Sequence, residues 1–183
     1  MYIGEIKLEN QRIRLTKQLL RNALIKLLHQ KSINTISVTE LCHTAQINRV
    51  TFYKYYNNPT DVLTEIKDNI LLNLNKKIAT YQENSLHLIS ALRFLQEHQD
   101  EFITLMKNMP GNELEEDLFY SSELKKILSE KILDNYDECD KEKAYLFICS
   151  GSYSVIRKWI LEGCQETPND IAEFIHLFAQ KLL

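Results

Sequence analysis

Two helix-start signatures stand at Ser37 and Asn48 in the run ISVTELCHTAQINRVTFYKYYNNPTDVL, residues 36–63, and between them there is room only for a short helix and a tight turn. Ser37 to Glu40 spells a capping box, with Ile36 and Leu41 placed to close a hydrophobic staple over it. Asn48 repeats the device with Ile47 and Phe52, which leaves Ala45-Gln46-Ile47 as the connection. Asn58-Pro59 then supplies a cap and a first-turn proline for another helix. Ahead of this run, Leu20, Ala23, Leu24, Leu27 and Leu28 recur at helical spacing, so a longer amphipathic helix precedes the pair. Two short helices joined by a tight turn and packed on a longer one make a helix-turn-helix, whose second helix presents its outer face to a DNA major groove.

The outer face can be read from NRVTFYKYY. Phe52 and Tyr56 stand at i and i+4 and are expected in the core, which points Arg49, Val50, Tyr53 and Lys54 outward. An arginine near the start of such a helix can bond guanine O6 and N7 with both guanidinium nitrogens, and a valine can contact only a thymine methyl. Thr51, Tyr53, Lys54 and Tyr55 offer donors at phosphate reach, as do Ser37 and Thr39 at the start of the preceding helix.

The rest of the chain reads as helix. With only four glycines and three prolines in 183 residues, turns are too few for a β-sandwich or barrel, and the pattern predicts an all-α fold of about nine helices. Apolar positions continue without a breaker from Thr60 to about Asn84. A further helix opens at Ser85, is interrupted near His98 or Asp100, and ends at Met109-Pro110-Gly111. Helices are expected over about 114–136, then over 141–165 after an acidic turn at 137–140, and finally from Thr167-Pro168 to the C-terminus. The expected domains are residues 1–58 for the helix-turn-helix and 59–183 for a helical regulatory and dimerisation domain.

Charge separates the two ends. Residues 1–60 hold nine Lys/Arg against three Asp/Glu, and residues 61–183 hold thirteen against twenty-two, so a basic end stands on an acidic body within a net charge of -3. That arrangement favours a phosphate-rich partner, because the body repels anions while the basic end attracts them. No apolar run reaches the roughly 18 residues of a membrane span, and the N-terminus lacks the apolar core of a signal peptide, so a cytoplasmic protein with no membrane partner is expected. Cys42, Cys139, Cys149 and Cys164 form no C-x-x-C pair and are read as reduced thiols. His87 and His98 stand about 16 Å apart along any shared helix, so no metal site is expected. The nucleophile-elbow, Walker and dinucleotide patterns are absent, and neither a cofactor nor an enzyme activity is expected.

The run from Ile36 to Leu63 closely resembles the DNA-binding signature of the TetR family of bacterial transcription regulators, and the resemblance extends over about residues 15–63. It implies an all-helical homodimer with a three-helix DNA-binding domain and a larger C-terminal domain that often binds a small effector, commonly in a repressor. It also implies that Asn48 to Lys54 is the recognition helix and that Thr39 and Tyr53 touch phosphate. The family commonly has glycine where this chain has Gln46 and Ser32, and some members place a phosphate-binding lysine where it has Pro59. GSYSVIRKWILEGCQETPNDIAEFIHLF looks like the last two helices of a TetR subgroup common in low-GC Gram-positive bacteria. By resemblance these helices form the dimer's four-helix bundle, with Tyr153, Ile156, Trp159, Ile160, Ile171, Ile175 and Phe178 at the interface.

An effector pocket is expected between the middle helices, where Phe102, Met106, Met109, Phe119 and Tyr120 gather flexible and aromatic side chains near a Pro-Gly break. The function that follows is a sequence-specific regulator of transcription acting on a double-stranded DNA operator, as a ligand-responsive repressor. The rivals are an activator or co-regulator whose C-terminal domain binds a protein partner, and a helical interaction module without DNA binding.

Overall fold

The structure is a computed structural model that describes residues 2–79, 84–109, 113–119 and 137–182. These residues form nine α-helices and one 3-10 turn, with no strand among them. The chain divides into two compact units, Met1–Asn69 and Ile70–Leu183. Among the described residues no helix is long and apolar enough to cross a membrane.

The first unit holds α1 (Tyr2–Leu28), the 3-10 turn Ile33–Thr35, α2 (Val38–Ala45), α3 (Arg49–Phe52) and the first turns of α4 (Pro59–Ala79). Its core is Leu20, Leu24 and Leu27 of α1, Ile36, Leu41 and Ala45 around α2, Phe52 and Tyr56, and Val62, Leu63 and Ile66 of α4, all buried. Each such aliphatic side chain contributes about 1.5–3 kcal/mol by leaving water. That packing explains why the unit runs to Asn69, beyond the boundary at residue 58 expected from the sequence. Val62, Leu63 and Ile66 in the opening turns of α4 are buried with the core of this unit, and Asn58 caps those turns by accepting from Asp61 N at 3.1 Å.

The second unit contains the rest of α4, then α5 (Asn84–Glu97), α6 (Gln99–Asn108), α7 (Glu113–Phe119), α8 (Glu138–Leu161) and α9 (Pro168–Leu182). The break between α5 and α6 falls at His98, inside the interval read from the sequence. Glu138 to Asp140 are helical: Asp137 stands extended just before α8, so the expected acidic turn is the first turn of a helix. That helix also stops at Leu161, short of Gln165. Gly163 at φ 86° and Cys164 at φ 52° turn the chain, with Cys164 N donating to Trp159 O at 2.9 Å and Gly163 N to Ile160 O at 3.1 Å. Packing joins α9 to α5 and α8, and α8 also to α6 and α7, around Leu92, Leu95, Phe102, Leu105, Trp159, Ile160 and Ile171. Most of the expected helix over 114–136 lies outside the described residues.

Candidate nucleic-acid interface

The turn between α2 and α3 is made by Gln46, which takes a left-handed backbone at φ 55° and ψ 37°. Gln46 N donates to His43 O at 3.2 Å and Ile47 N to Cys42 O at 2.9 Å, so the last carbonyls of α2 are satisfied even without glycine. Asn48 then accepts from Val50 N at 2.8 Å and starts α3. At the other end of α2, Ser37 accepts from Glu40 N at 3.2 Å, but the Glu40 carboxylate pairs with Lys31 instead of returning to Ser37. Half of the expected capping box is present, and the other half has become a tie between α2 and the residues after α1.

The α-helical part of the recognition segment is one turn, Arg49–Phe52, shorter than the expected Asn48 to Lys54. Tyr53 and Lys54 continue it as a tighter turn in which Lys54 N donates to Thr51 O at 3.3 Å and Tyr55 N to Phe52 O at 2.9 Å. The reason lies downstream: Asn58 precedes a proline, which disfavours helical backbone there, and Tyr56 must turn into the core. Phe52 is fully buried and Tyr56 nearly so, as their spacing implies. Arg49 and Lys54 are exposed, and Val50 and Tyr53 remain 69% and 52% exposed. Ser37, Thr39 and Asn48 are exposed on the same unit, while Thr51 and Tyr55 are half-buried and less free to reach a phosphate than the sequence suggested.

The Arg49 guanidinium lies 6.0 Å from the centroid of the Tyr53 ring, a cation–π distance. Burial raises the pKa of the nearby Cys42 thiol, with Arg49 working against that rise, so the thiol stays protonated at neutral pH. Lys17 and Glu65 form an ion pair at 2.6 Å that joins α1 to α4, and the Tyr56 hydroxyl donates to Glu65 at 3.1 Å. No local pattern announces a pair so far apart in the chain.

Comparison with known proteins bears on both units. A family model described as "Transcriptional regulator C-terminal region", of the TetR type, matches residues 82–181, more than half of the chain. The chain belongs to the TetR family of transcription regulators. It is 24% identical over 159 residues to the HTH-type dhaKLM operon transcriptional activator DhaS of Lactococcus lactis, with 81% of each protein covered. It is 22% identical over 171 residues to the HTH-type transcriptional regulator YxbF of Bacillus subtilis; that match takes in 88% of this chain but only 44% of its longer relative. The fold is shared with the dihydroxyacetone kinase operon activator DhaS (TM-score 0.62, 19% identity, 91% of this chain and 95% of that one). It is also shared with the fatty acid degradation regulator FadR from Bacillus halodurans (TM-score 0.64, 14% identity, 90% and 94%). The protein is a DNA-binding transcription regulator.

The second unit treats the other expected residues differently. Trp159, Ile160 and Ile171 are buried within a single chain, where Trp159 Nε1 donates to Glu166 O at 3.0 Å and Gln99 donates to Ile160 O at 2.8 Å. They belong to the chain's own core, which leaves little of these three side chains exposed for the dimer interface expected of them. Tyr153, Ile156 and Ile175 are half-buried, and Phe178 is 51% exposed. The apolar surface left open on α8 and α9 includes Leu146, Phe147, Phe174 and Leu177, which the sequence reading did not single out. Of the expected effector residues, Phe102 is buried in the core and Met106 and Met109 are half-buried; the Phe119 side chain and Tyr120 lie outside the described residues. Between α7 and α8, Ser150 donates to Glu115 at 2.7 Å, and burial pushes the Cys149 thiol up to about 11, against a Tyr145 hydrogen bond that lowers it. Among the described residues no group of three or more His, Cys, Asp or Glu could hold a metal ion.

Proposed function

We propose that this regulator works in the cytoplasm as a homodimer that reads a two-part operator in duplex DNA, one α3 entering each half-site. The observation that supports it is the exposure of Val50 beside Arg49 on a turn otherwise anchored by buried Phe52. An apolar side chain exposed at the start of a recognition helix is placed to contact a thymine methyl in the major groove. The dimer would be built on α8 and α9, whose exposed Phe147, Phe174, Leu177 and Phe178 are apolar surface that a second copy would remove from water. Recovering duplexes from a random-sequence pool with the purified protein tests the reading. Enrichment of a site with two related halves, about one helical repeat (34–36 Å) or a multiple apart, is expected, and an unenriched pool would sink it.

In its simplest form such a protein represses, by occupying a promoter until an effector bound near Phe102, Met106, Met109, Phe119 and Tyr120 favours a state that no longer fits DNA. The likeness to DhaS, described as a transcriptional activator, favours a second reading in which the bound dimer raises transcription through a protein partner. Transcription from the recovered site with purified polymerase separates the two. Repression lowers the transcript without any added protein, whereas the second reading predicts a rise that needs a co-purifying partner.

A further inference from the structure

α3 is a single helical turn, too short to hold its own conformation, so its orientation is set by whatever it is anchored to. An unbroken series of contacts leads from its reading side chain to α4. The Arg49 guanidinium sits 6.0 Å from the Tyr53 ring centroid, and the Tyr53 ring meets Phe52 edge-on at 5.5 Å and 82°. The Phe52 ring lies 5.7 Å from that of Tyr56, whose hydroxyl donates to Glu65 Oε2 at 3.1 Å. The same oxygen accepts from Lys17 Nζ at 2.6 Å, and that ammonium also stands 5.4 Å over the Tyr56 ring. One carboxylate oxygen therefore ties together α1, α4 and the turn that follows the recognition helix.

We propose that Glu65 is a positioning residue for operator reading, acting through Tyr56 and Phe52 to fix the direction in which Arg49 is presented. The role rests on the reading of α3 given above and goes beyond it by placing one determinant of selectivity on α4, away from the DNA. Glu65 and Lys17 are both about one-third exposed, so solvent screens the pair and its worth to folding is small. Orientation is more demanding. A bidentate contact to a base edge fails with small errors of distance and angle, whereas attraction to phosphates tolerates them. Loss of the Glu65 anchor should therefore weaken discrimination between sequences and leave general affinity for DNA in place.

Tyr56→Phe removes only the hydroxyl, and Glu65→Gln removes the charge while keeping the shape. Each is titrated at one salt concentration against the duplex recovered from the random pool and against a scrambled duplex, after circular dichroism confirms the fold. The expected result is a loss of about three- to tenfold in the preference for the recovered duplex, with affinity for the scrambled one unchanged. In an Arg49→Ala background the same substitutions should change the preference no further, since their effect passes through Arg49. Equal losses on both duplexes, undiminished preference, or full additivity with Arg49→Ala would overturn the role of Glu65. A wild type without any preference would overturn the reading of α3 and this role with it. If Glu65→Gln does not fold, Tyr56→Phe carries the same comparison.

Discussion

Gln46 holds a left-handed backbone in the position where a helix most often ends on glycine. The Cβ of a glutamine makes that conformation costly, and the hydrogen bonds of the turn hold it there. Gln46→Gly should raise stability by about 0.5–1 kcal/mol, read as a higher melting temperature by circular dichroism, with part of the gain offset by the freer unfolded chain. A lower melting temperature would mean that the Gln46 side chain supplies a contact worth more than the strain. Arg49 and Lys54 make the second comparison at this scale, because they stand at opposite ends of one short segment. Arg49→Ala should cost roughly 1–3 kcal/mol on the operator and flatten the preference at one base pair in each half-site. Lys54→Ala should weaken every sequence about equally, since a flexible ammonium suits phosphate better than base edges. If both substitutions gave the same uniform loss, Arg49 would be a phosphate contact.

Capping governs the elements, and α9 shows it most fully. Thr167 N and the Thr167 hydroxyl both donate to Asp170, at 3.0 and 2.7 Å, while Asp170 N donates back to Thr167 Oγ1 at 3.2 Å. Those bonds hold the Asp170 carboxyl below its ordinary pKa of 3.8. A carboxylate with a lowered folded pKa contributes stability that is complete above its unfolded pKa and is lost as pH falls through the folded one. Asp170→Ala should therefore melt below wild type near neutral pH, and the gap should close as the buffer is acidified below about pH 4. A gap that persists in strong acid would assign the effect to hydrogen bonds that the neutral carboxyl keeps with Thr167 and not to its charge. The same logic makes Asn48 the weak point of α3, where the cap is a large share of what holds a single turn.

For the whole molecule, two measurements address the assembly and its partner. Phe178→Glu places a charge on a side chain that is half exposed in the protomer, so it should split the dimer in sedimentation without unfolding the chain. Wild type that sediments as a monomer at micromolar concentration would remove the proposed assembly. With about four phosphate contacts per subunit, the dimer's affinity for duplex DNA should fall with salt at a log-log slope near -7. A flat dependence between low and physiological salt would count against the basic first unit as the DNA-binding surface.

What the sequence determined by itself was local. The caps at Ser37, Asn48, Asn58 and Thr167 and the break near His98 act through neighbours a few residues away, so element order, the all-helical class and the outward set Arg49, Val50, Tyr53 and Lys54 are legible in the sequence. The tertiary structure decided what apolar periodicity leaves open. A helical stripe says that Trp159, Ile160 and Ile171 are covered, but the pattern is the same whether the cover is a neighbouring helix or a second copy, and here α8 and α9 bury them within the chain. It also decided where the first unit ends, how short α3 is, and that Glu65 meets Lys17 across 48 residues of sequence. Such a pair has no periodic signature, because it forms only when two helices already held together by their apolar faces bring an ammonium and a carboxylate into reach.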